Sequence, residues 1–327
     1  MPIPLKSGEI LRSRYVINRT IGQGGMGSIY LAEDLRLKGR VCALKEVEHD
    51  RSLNKTLRKE AQEQFKQEAT ILARLDHPNL PKVSDFFSIG DRDYLVMDYV
   101  PGEDLRTLML KAKHQEKFLK ENEVRLWANQ LADALIYLHS QDSPILHRDI
   151  KPSNLKLTPS GLLKLVDFGL VKIMAPGEMT ITIIQGQGTA LYKPLEQYGG
   201  ESTHTDIRSD IYSFGATLYH LLTNTPPADA RERFIHPKVL KPPREINPAV
   251  SAQMERAILW AMNLHPDERP QTMTQLKDYF TGRSIIRETA SKDDDRLQSF
   301  IREKDINRLV SGAALLTILS LVISLAF

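Results

Sequence analysis

The chain has 327 residues, of which 41% are hydrophobic and 26% are charged. This balance is typical of a globular protein, and the length suits about two folded units, so disorder throughout the chain is excluded. The formal net charge of +3, from 44 basic and 41 acidic side chains, is too small to indicate a nucleic-acid-binding surface.

In chain order, the residue pattern predicts a small β-rich lobe followed by a larger helical lobe. Residues 9–100 are expected to form mainly strands, with one helix near 57–74. Residues 104–281 are expected to form mainly helices, including an apolar stripe at helical spacing from Val124 to Leu138.

The last part of the sequence predicts a membrane anchor. Residues 309–327 form 19 consecutive residues without a charge, which is the length of a membrane-spanning helix. A hydrophobic helix packed on the domain is the alternative. Small residues at 311–314 would permit a homodimer through this helix, although a simple lipid-facing helix is the preferred interpretation. Residues 282–308 are rich in both charges and predict a juxtamembrane linker.

Three observations predict that the folded part faces the cytoplasm. Residues 1–15 contain no apolar core of the kind found in a secretory signal. The single cysteine, Cys42, leaves no intramolecular disulfide and suits a reducing compartment. Arg302, Lys304 and Arg308 precede the apolar run, as expected for a cytoplasmic flank.

A glycine-rich motif opens the β-rich lobe. Gly22, Gly24 and Gly27 follow a G-x-G-x-x-G pattern between apolar residues, and glycines allow backbone amides to close over phosphates. A dinucleotide site would require a helix after the glycines, but residues 28–32 predict a strand. The motif therefore indicates a nucleotide-covering hairpin.

Lys45 lies on a short apolar strand, where it is expected to contact ATP phosphates. A carboxylate on the following helix would orient its ammonium group. Glu60, Glu63 and Glu68 are candidates, and Glu68 is preferred because an apolar stripe follows it.

The strongest motif is the run LHRDIKPSN, which ends at Asn154 and is followed 13 residues later by DFG from Asp167. Phosphoryl transfer requires a carboxylate near the attacking hydroxyl, hard oxygen ligands for a metal ion, and cations near the phosphates. Asp149 provides the carboxylate, Asn154 and Asp167 provide the metal ligands, and Lys151 provides a cation.

These motifs together resemble the protein kinase superfamily, specifically the eukaryotic-type Ser/Thr kinases of bacteria, over residues 9–281. The resemblance implies an α+β fold with two lobes, an N-lobe at about 9–100 and a C-lobe at about 101–281. It implies ATP and Mg²⁺ as cofactors, with Mn²⁺ as an alternative ion, and proteins with Ser or Thr acceptors as substrates.

The resemblance also assigns residue roles. Asp149 becomes the catalytic base, with Lys151, Lys45 and Glu68 as its catalytic partners, and Asn154 and Asp167 become the metal ligands. The implied ATP-binding residues are Ile21, Gly22, Gly24, Gly27, Ile29, Ala43, Lys45, Met97, Asp98, Val100 and Asp104. The implied structural residues are Arg148, Thr189, Glu196, Asp210 and Arg269, with Glu196 and Arg269 as an ion pair.

Two positions depart from the family pattern. Lys156 stands where an apolar residue is usual under the adenine ring, and Leu195 replaces the proline of the Ala-Pro-Glu motif. The implied function is an active Ser/Thr protein kinase with activation-loop autophosphorylation at Thr180 and Thr182. A membrane-tethered pseudokinase scaffold and a small-molecule phosphotransferase are the alternatives.

Overall fold

The computed structural model describes residues 4–24, 27–48, 55–167, 172–173, 187–198 and 205–282. The predicted phosphosites Thr180 and Thr182, the segment 309–327 and nearly all of 282–308 lie outside these ranges. Within the ranges, no helix has the length and apolar character needed to cross a membrane. The compact unit that contains the described elements ends at Thr281.

The first part of this unit is an antiparallel sheet. Its strands are β1 (Ile10–Leu11), β2 (Tyr15–Gly24), β3 (Gly27–Asp34), β4 (Val41–Glu48), β5 (Val83–Ile89) and β6 (Arg92–Asp98). They lie in the order β1-β2-β3-β4-β6-β5. Helix α1 (Lys55–Leu72) connects β4 to β5, close to the predicted helix.

Side chains of the central strands are buried on both faces of the sheet. In β4, Cys42 and Leu44 pack into a core on one face, whereas Ala43 packs into the larger core on the other. Successive side chains of a strand point to opposite faces, so Lys45 shares the face of Ala43. This alternation directs Lys45 toward the cleft between the lobes.

The second part is helical. Its helices are α2 (Leu105–His114), α3 (Glu121–His139), α4 (Ile207–Thr223), α5 (Ala230–Ile235), α6 (Pro243–Ile246), α7 (Ala252–Ala261) and α8 (Met273–Thr281). The predicted stripe of α3 is buried at Val124, Leu131, Leu135 and Leu138. Helix α4 is buried around almost its whole circumference, which places it at the centre of the lobe.

Short sheets lie where the two parts meet. β7 (Glu103–Asp104), β9 (Leu155–Leu157) and β10 (Leu163–Leu165) form one sheet, and β8 (Ile145–Leu146) pairs with β11 (Lys172–Ile173). The loop that carries Asp149 runs from β8 to β9, and Asp167 follows β10. The sheets therefore fix both ends of the chemically important loops.

Candidate active site

The carboxylate of Asp149 is held by its own loop. Lys151 Nζ donates to Asp149 Oδ2 at 2.8 Å, and Asn154 Nδ2 donates to the same oxygen at 2.9 Å and to the Asp149 carbonyl at 2.8 Å. The other oxygen, Oδ1, is buried and accepts no hydrogen bond from any described residue. A buried acceptor without a partner costs about 1–3 kcal/mol, so Oδ1 is the atom available to a ligand.

Asp210, in the first turn of α4, fixes the backbone of this loop. Its Oδ2 accepts from the amide of His147 at 2.9 Å, and its Oδ1 accepts from the amide of Arg148 at 2.8 Å. Arg148 has a φ of 63°, in the left-handed region, where a non-glycine residue costs about 1–3 kcal/mol and needs such support.

His139 completes the anchor. Its Nε2 lies 3.0 Å from Asp210 Oδ2. Burial acts to raise the pKa of Asp210, but the hydrogen bonds from His139 and the Arg148 amide, together with the nearby His147, outweigh it, so the pKa is lowered. The Asp210 carboxylate therefore remains charged and keeps its hold on the loop.

The structure brings Asp167 to Lys45, on the opposite lobe. Lys45 Nζ donates to Asp167 Oδ1 in an ion pair. Burial acts to raise the pKa of Asp167, but the positive charge of Lys45 and its hydrogen bond outweigh it. Asp167 also has a φ of 63°, and the amide of the preceding residue, Val166, donates to the Asn154 carbonyl at 2.8 Å. The two predicted metal ligands are thus held together.

Glu68 differs from its predicted role. Its Oε1 accepts from Gln64 Nε2 at 3.2 Å, and none of the described contacts joins it to Lys45. Burial raises the pKa of Glu68 to about 7, with the Gln64 hydrogen bond and the charge of Arg148 opposing. Among the described contacts, the Lys45 ammonium pairs with Asp167 and not with Glu68, and burial favours the uncharged form of Glu68.

The apolar residues among those predicted to bind ATP lie in or just after the strands of the first sheet. Ala43 and Met97 are cross-strand partners in β4 and β6, and both are buried. Ile21 and Ile29 are partly buried and pack against the same core, while Val100 is buried just after β6. Ile21, Ile29, Ala43 and Met97 therefore share one apolar core.

The glycine-rich motif is a hairpin, as predicted. Gly22 pairs with Ile29, and Gly24 pairs with Gly27. Gly27 has a φ of 140°, and a Cβ there would lie 2.0 Å from the carbonyl oxygen of Glu46 on β4. The glycine at this position is therefore required by the close approach of two strands.

The segment after β6 leads into α2. Asp104 caps that helix, since its Oδ1 accepts from the amide of Thr107 at 2.9 Å. Asp98 is partly buried, and its amide donates to the Lys82 carbonyl at 3.0 Å. Lys156 pairs with Asp104 across β7 and β9, and its Nζ lies 5.7 Å from the centre of the Tyr99 ring. The unusual lysine thus lies at the edge of the cleft.

Glu196 and Arg269 form an ion pair in the helical lobe. Arg269 Nη1 donates to Glu196 Oε1 at 2.6 Å, and Nη2 donates to Oε2 at 3.0 Å. The Arg269 side chain is fully buried and that of Glu196 is 12% exposed. Thr189 lies in the 3₁₀ turn Gln187–Tyr192 that precedes this pair.

Some contacts of the site were not predicted from the sequence. Tyr192 Oη lies 2.6 Å from His220 Nδ1, but the two residues are 28 positions apart and no spacing pattern links them. His139 could have been found, because it follows Leu135 by four residues and so extends the buried stripe of α3. Lys193 lies near Asp149, and no sequence motif indicated it.

The residues present fit a nucleotide with a divalent cation. Asn154 and Asp167 provide amide and carboxylate oxygens, the ligands that Mg²⁺ prefers. Because the amide nitrogen of Asn154 is bonded to Asp149, its amide oxygen points away from that residue. Lys45 lies on the same side of the cleft as Ala43, and its ammonium group can bind phosphate oxygens.

Comparison with known proteins agrees with this geometry. A family model described as "Protein kinase domain" matches residues 15–281. A protein of Streptomyces coelicolor named "Probable serine/threonine-protein kinase" is 35% identical over 277 residues, which cover 82% of this chain and 39% of that protein. The serine/threonine-protein kinase PknB of Mycobacterium tuberculosis is 32% identical over 82% of this chain and 42% of its own length. The chain spans about two fifths of the length of these curated relatives.

Solved structures agree as well. The structure titled "PpkA-294 apo form" has a TM-score of 0.67 and 26% identity, and the match covers 84% of this chain and 99% of that one. The PknI kinase domain of Mycobacterium tuberculosis has a TM-score of 0.63 and 26% identity, over 86% of this chain and 100% of that one. The strand-rich and helical lobes of this protein are those of a kinase, and the chain belongs to the protein kinase domain family.

Proposed function

We propose that this protein is a serine/threonine protein kinase that transfers the γ-phosphoryl group of ATP to Ser or Thr hydroxyls of other proteins. One observation carries the proposal. Lys151 and Asn154 both bind Asp149 Oδ2, while the buried Oδ1 accepts no hydrogen bond from the described residues. A carboxylate held in this way has one oxygen in a fixed position for the proton of an incoming hydroxyl.

The residues around Asp149 have separate roles in phosphoryl transfer. Lys151 places a positive charge beside Asp149. This charge stabilises the negative charge on the phosphate oxygens and on the substrate oxygen during transfer. Lys45 binds phosphate oxygens and so positions the nucleotide. Asn154 and Asp167 would hold Mg²⁺, which supplies positive charge between the phosphates when bound. Mn²⁺ suits the same oxygen ligands.

The substrate class follows from the family resemblance. Lys151 lies two residues after Asp149, and Thr189 lies in the turn Gln187–Tyr192, the arrangement that resembles kinases acting on Ser and Thr. The curated relatives carry the same name, serine/threonine-protein kinase. Peptides that differ only in a Ser, Thr or Tyr acceptor test this part, and transfer to the Tyr peptide at an equal rate would contradict it.

The catalytic assignment is tested with Asp149→Asn. The amide cannot accept the hydroxyl proton, so transfer from radiolabelled ATP should fall by about 10²- to 10⁴-fold, while nucleotide binding persists. The matched control is Asp142→Asn, because Asp142 is exposed on a loop of the same lobe and its loss should leave the rate unchanged. Wild-type transfer by Asp149→Asn would refute the assignment.

We also propose control by autophosphorylation of Thr180 and Thr182. Arg148 lies beside the catalytic residue, and its guanidinium donates to Thr205 Oγ1. Its Nε is buried and has no hydrogen-bond partner among the described residues. A phosphate carries a charge of about −1.5 to −2 and would satisfy this donor, which would order the loop.

Residues 309–327 are proposed to anchor the chain in the membrane, with the kinase lobes in the cytoplasm. The support is the charge-free length of the segment and the basic residues Arg302, Lys304 and Arg308 before it. Self-association through the small residues at 311–314 is part of this proposal. Fractionation of the full chain beside a 1–308 truncation tests it, and the anchor is refuted if both remain soluble.

A further inference from the structure

Helix α4 holds the turn Gln187–Tyr192 beside the loop that carries Asp149. Ser213 Oγ donates to the Tyr192 carbonyl at 2.9 Å, and Thr217 Oγ1, one turn later, donates to the Ile150 carbonyl at 3.3 Å. Lys193 follows this turn and is half-buried. Burial lowers the pKa of Lys193, while the nearby carboxylate of Asp149 opposes the shift. Lys151, bonded to Asp149 at 2.8 Å, lies close to Lys193 as well. Two cations therefore flank the catalytic carboxylate on the side of the turn.

Tyr192 is buried and contacts His220 on α4, since Tyr192 Oη and His220 Nδ1 lie 2.6 Å apart. Burial, together with the positive charges of Lys113 and Arg106, lowers the pKa of His220 to about 4. At neutral pH the imidazole is therefore uncharged, and Arg106 and Lys113 provide the charge of this region. Lys113 is fixed near the end of α4, since its Nζ donates to the Asn224 carbonyl at 3.2 Å.

Helix geometry explains why Arg106 and Lys113 act together. They are seven residues apart on α2, so they lie on the same face, about two turns from one another. Both are exposed and lie next to the face of the helix that Leu105 and Met109 bury. Lys111 lies on a different face and forms an ion pair with Glu103. Only one face of α2 therefore directs cations toward Tyr192 and His220.

We propose that Arg106, Lys113, Lys151 and Lys193 form a cationic patch that selects protein substrates with Asp or Glu next to the Ser or Thr acceptor. The inference rests on the proposed kinase function and names its substrate class. Carboxylates beside the acceptor complement the charge of the patch and accelerate encounter, whereas the same charge disfavours basic peptides. The exposed positions of Arg106 and Lys113 make the preference sensitive to salt.

The test compares three peptides with one central Thr, flanked by Asp and Glu, by Asn and Gln, or by Lys, phosphorylated by the purified full chain. We expect kcat/KM to be about tenfold higher for the acidic peptide than for the neutral one at low salt, with the difference shrinking in about 0.5 M NaCl. The basic peptide should be the poorest substrate.

Variants test whether the cationic patch causes the preference for acidic peptides. The double variant Arg106→Gln/Lys113→Gln should lower the acidic-to-neutral ratio of kcat/KM about three- to tenfold. This ratio does not depend on how much of the variant is folded. Lys111→Gln is the matched control on the same helix and should leave the ratio unchanged.

The outcomes separate the two proposals. Equal kcat/KM for acidic and neutral peptides, or the same fall in the ratio with Lys111→Gln, overturns the acidic preference and leaves the kinase function standing. Transfer to none of the three peptides overturns the proposed function itself.

Discussion

Arg269 should be the most sensitive single position for the stability of the helical lobe. Its guanidinium donates to both oxygens of Glu196 and to the carbonyls of Asn263 at 2.7 Å, Leu264 at 2.9 Å and Arg208 at 3.1 Å. The side chain is fully buried. It therefore joins the segment around Glu196 to the start of α4 and to the loop after α7.

The substitution Arg269→Met keeps most of the side-chain volume and removes every one of these donors. The Glu196 carboxylate would retain Ser209, whose Oγ donates at 2.8 Å, but would lose its cation. Breaking a buried ion pair by removing one partner costs about 3–5 kcal/mol. For a domain of this size about 1 kcal/mol shifts Tm by about 2–4 °C, so a fall of roughly 6–20 °C is expected.

Urea unfolding followed by circular dichroism measures the effect. Arg256→Met is the matched control, because Arg256 is exposed on α7 and its guanidinium donates, among the residues that the structure describes, only to Tyr279 Oη at 3.0 Å. Its loss should cost about 0.5 kcal/mol or less. Adding Glu196→Gln to Arg269→Met should cost less than the sum of the single changes, since the two side chains are in contact. A loss below about 1 kcal/mol for Arg269→Met would refute this reasoning.

Three other predictions concern the pH dependence of stability, the backbone at two glycines and the phosphorylation of Thr180 and Thr182. Burial raises the pKa of Glu68 from its ordinary 4.5 to about 7, so wild-type stability should fall as pH rises through this interval, and Glu68→Gln should flatten the slope measured by urea unfolding. Gly102→Ala should destabilise the protein more than Gly161→Ala: both glycines have positive φ, but only at Gly102 would a Cβ lie 2.1 Å from a carbonyl oxygen, that of Leu157. The Thr180→Ala/Thr182→Ala variant should lose most substrate phosphorylation, and mass spectrometry of active protein should find phosphate on at least one of the two threonines.

Each of these predictions has a contrary result. An unchanged pH slope in Glu68→Gln would show that another group controls it. Equal unfolding free energies for Gly102→Ala and Gly161→Ala would show that the strand near Leu157 moves aside at no cost. Full activity of the double threonine variant would exclude phosphorylation control at those positions.

The sequence by itself determined what depends on short separations along the chain. Alternation in β4 places Lys45 on the same face as Ala43, and 3.6-residue periodicity buries the stripe of α3. Asp149, Lys151 and Asn154 lie within six residues, so a single loop can bring them together. These features follow from strand, helix and loop geometry and were visible in the sequence.

Only the tertiary structure decided which distant partners meet. Asp167, 122 residues from Lys45, forms the ion pair with it, whereas Glu68, the nearer candidate in sequence, is bonded to Gln64. Asp210 forms a hydrogen bond with His139 and accepts another from the amide of Arg148, whose backbone is strained. The physical reason is that a pairing across lobes depends on the relative burial and position of competing carboxylates, and residue spacing along one chain does not fix either quantity.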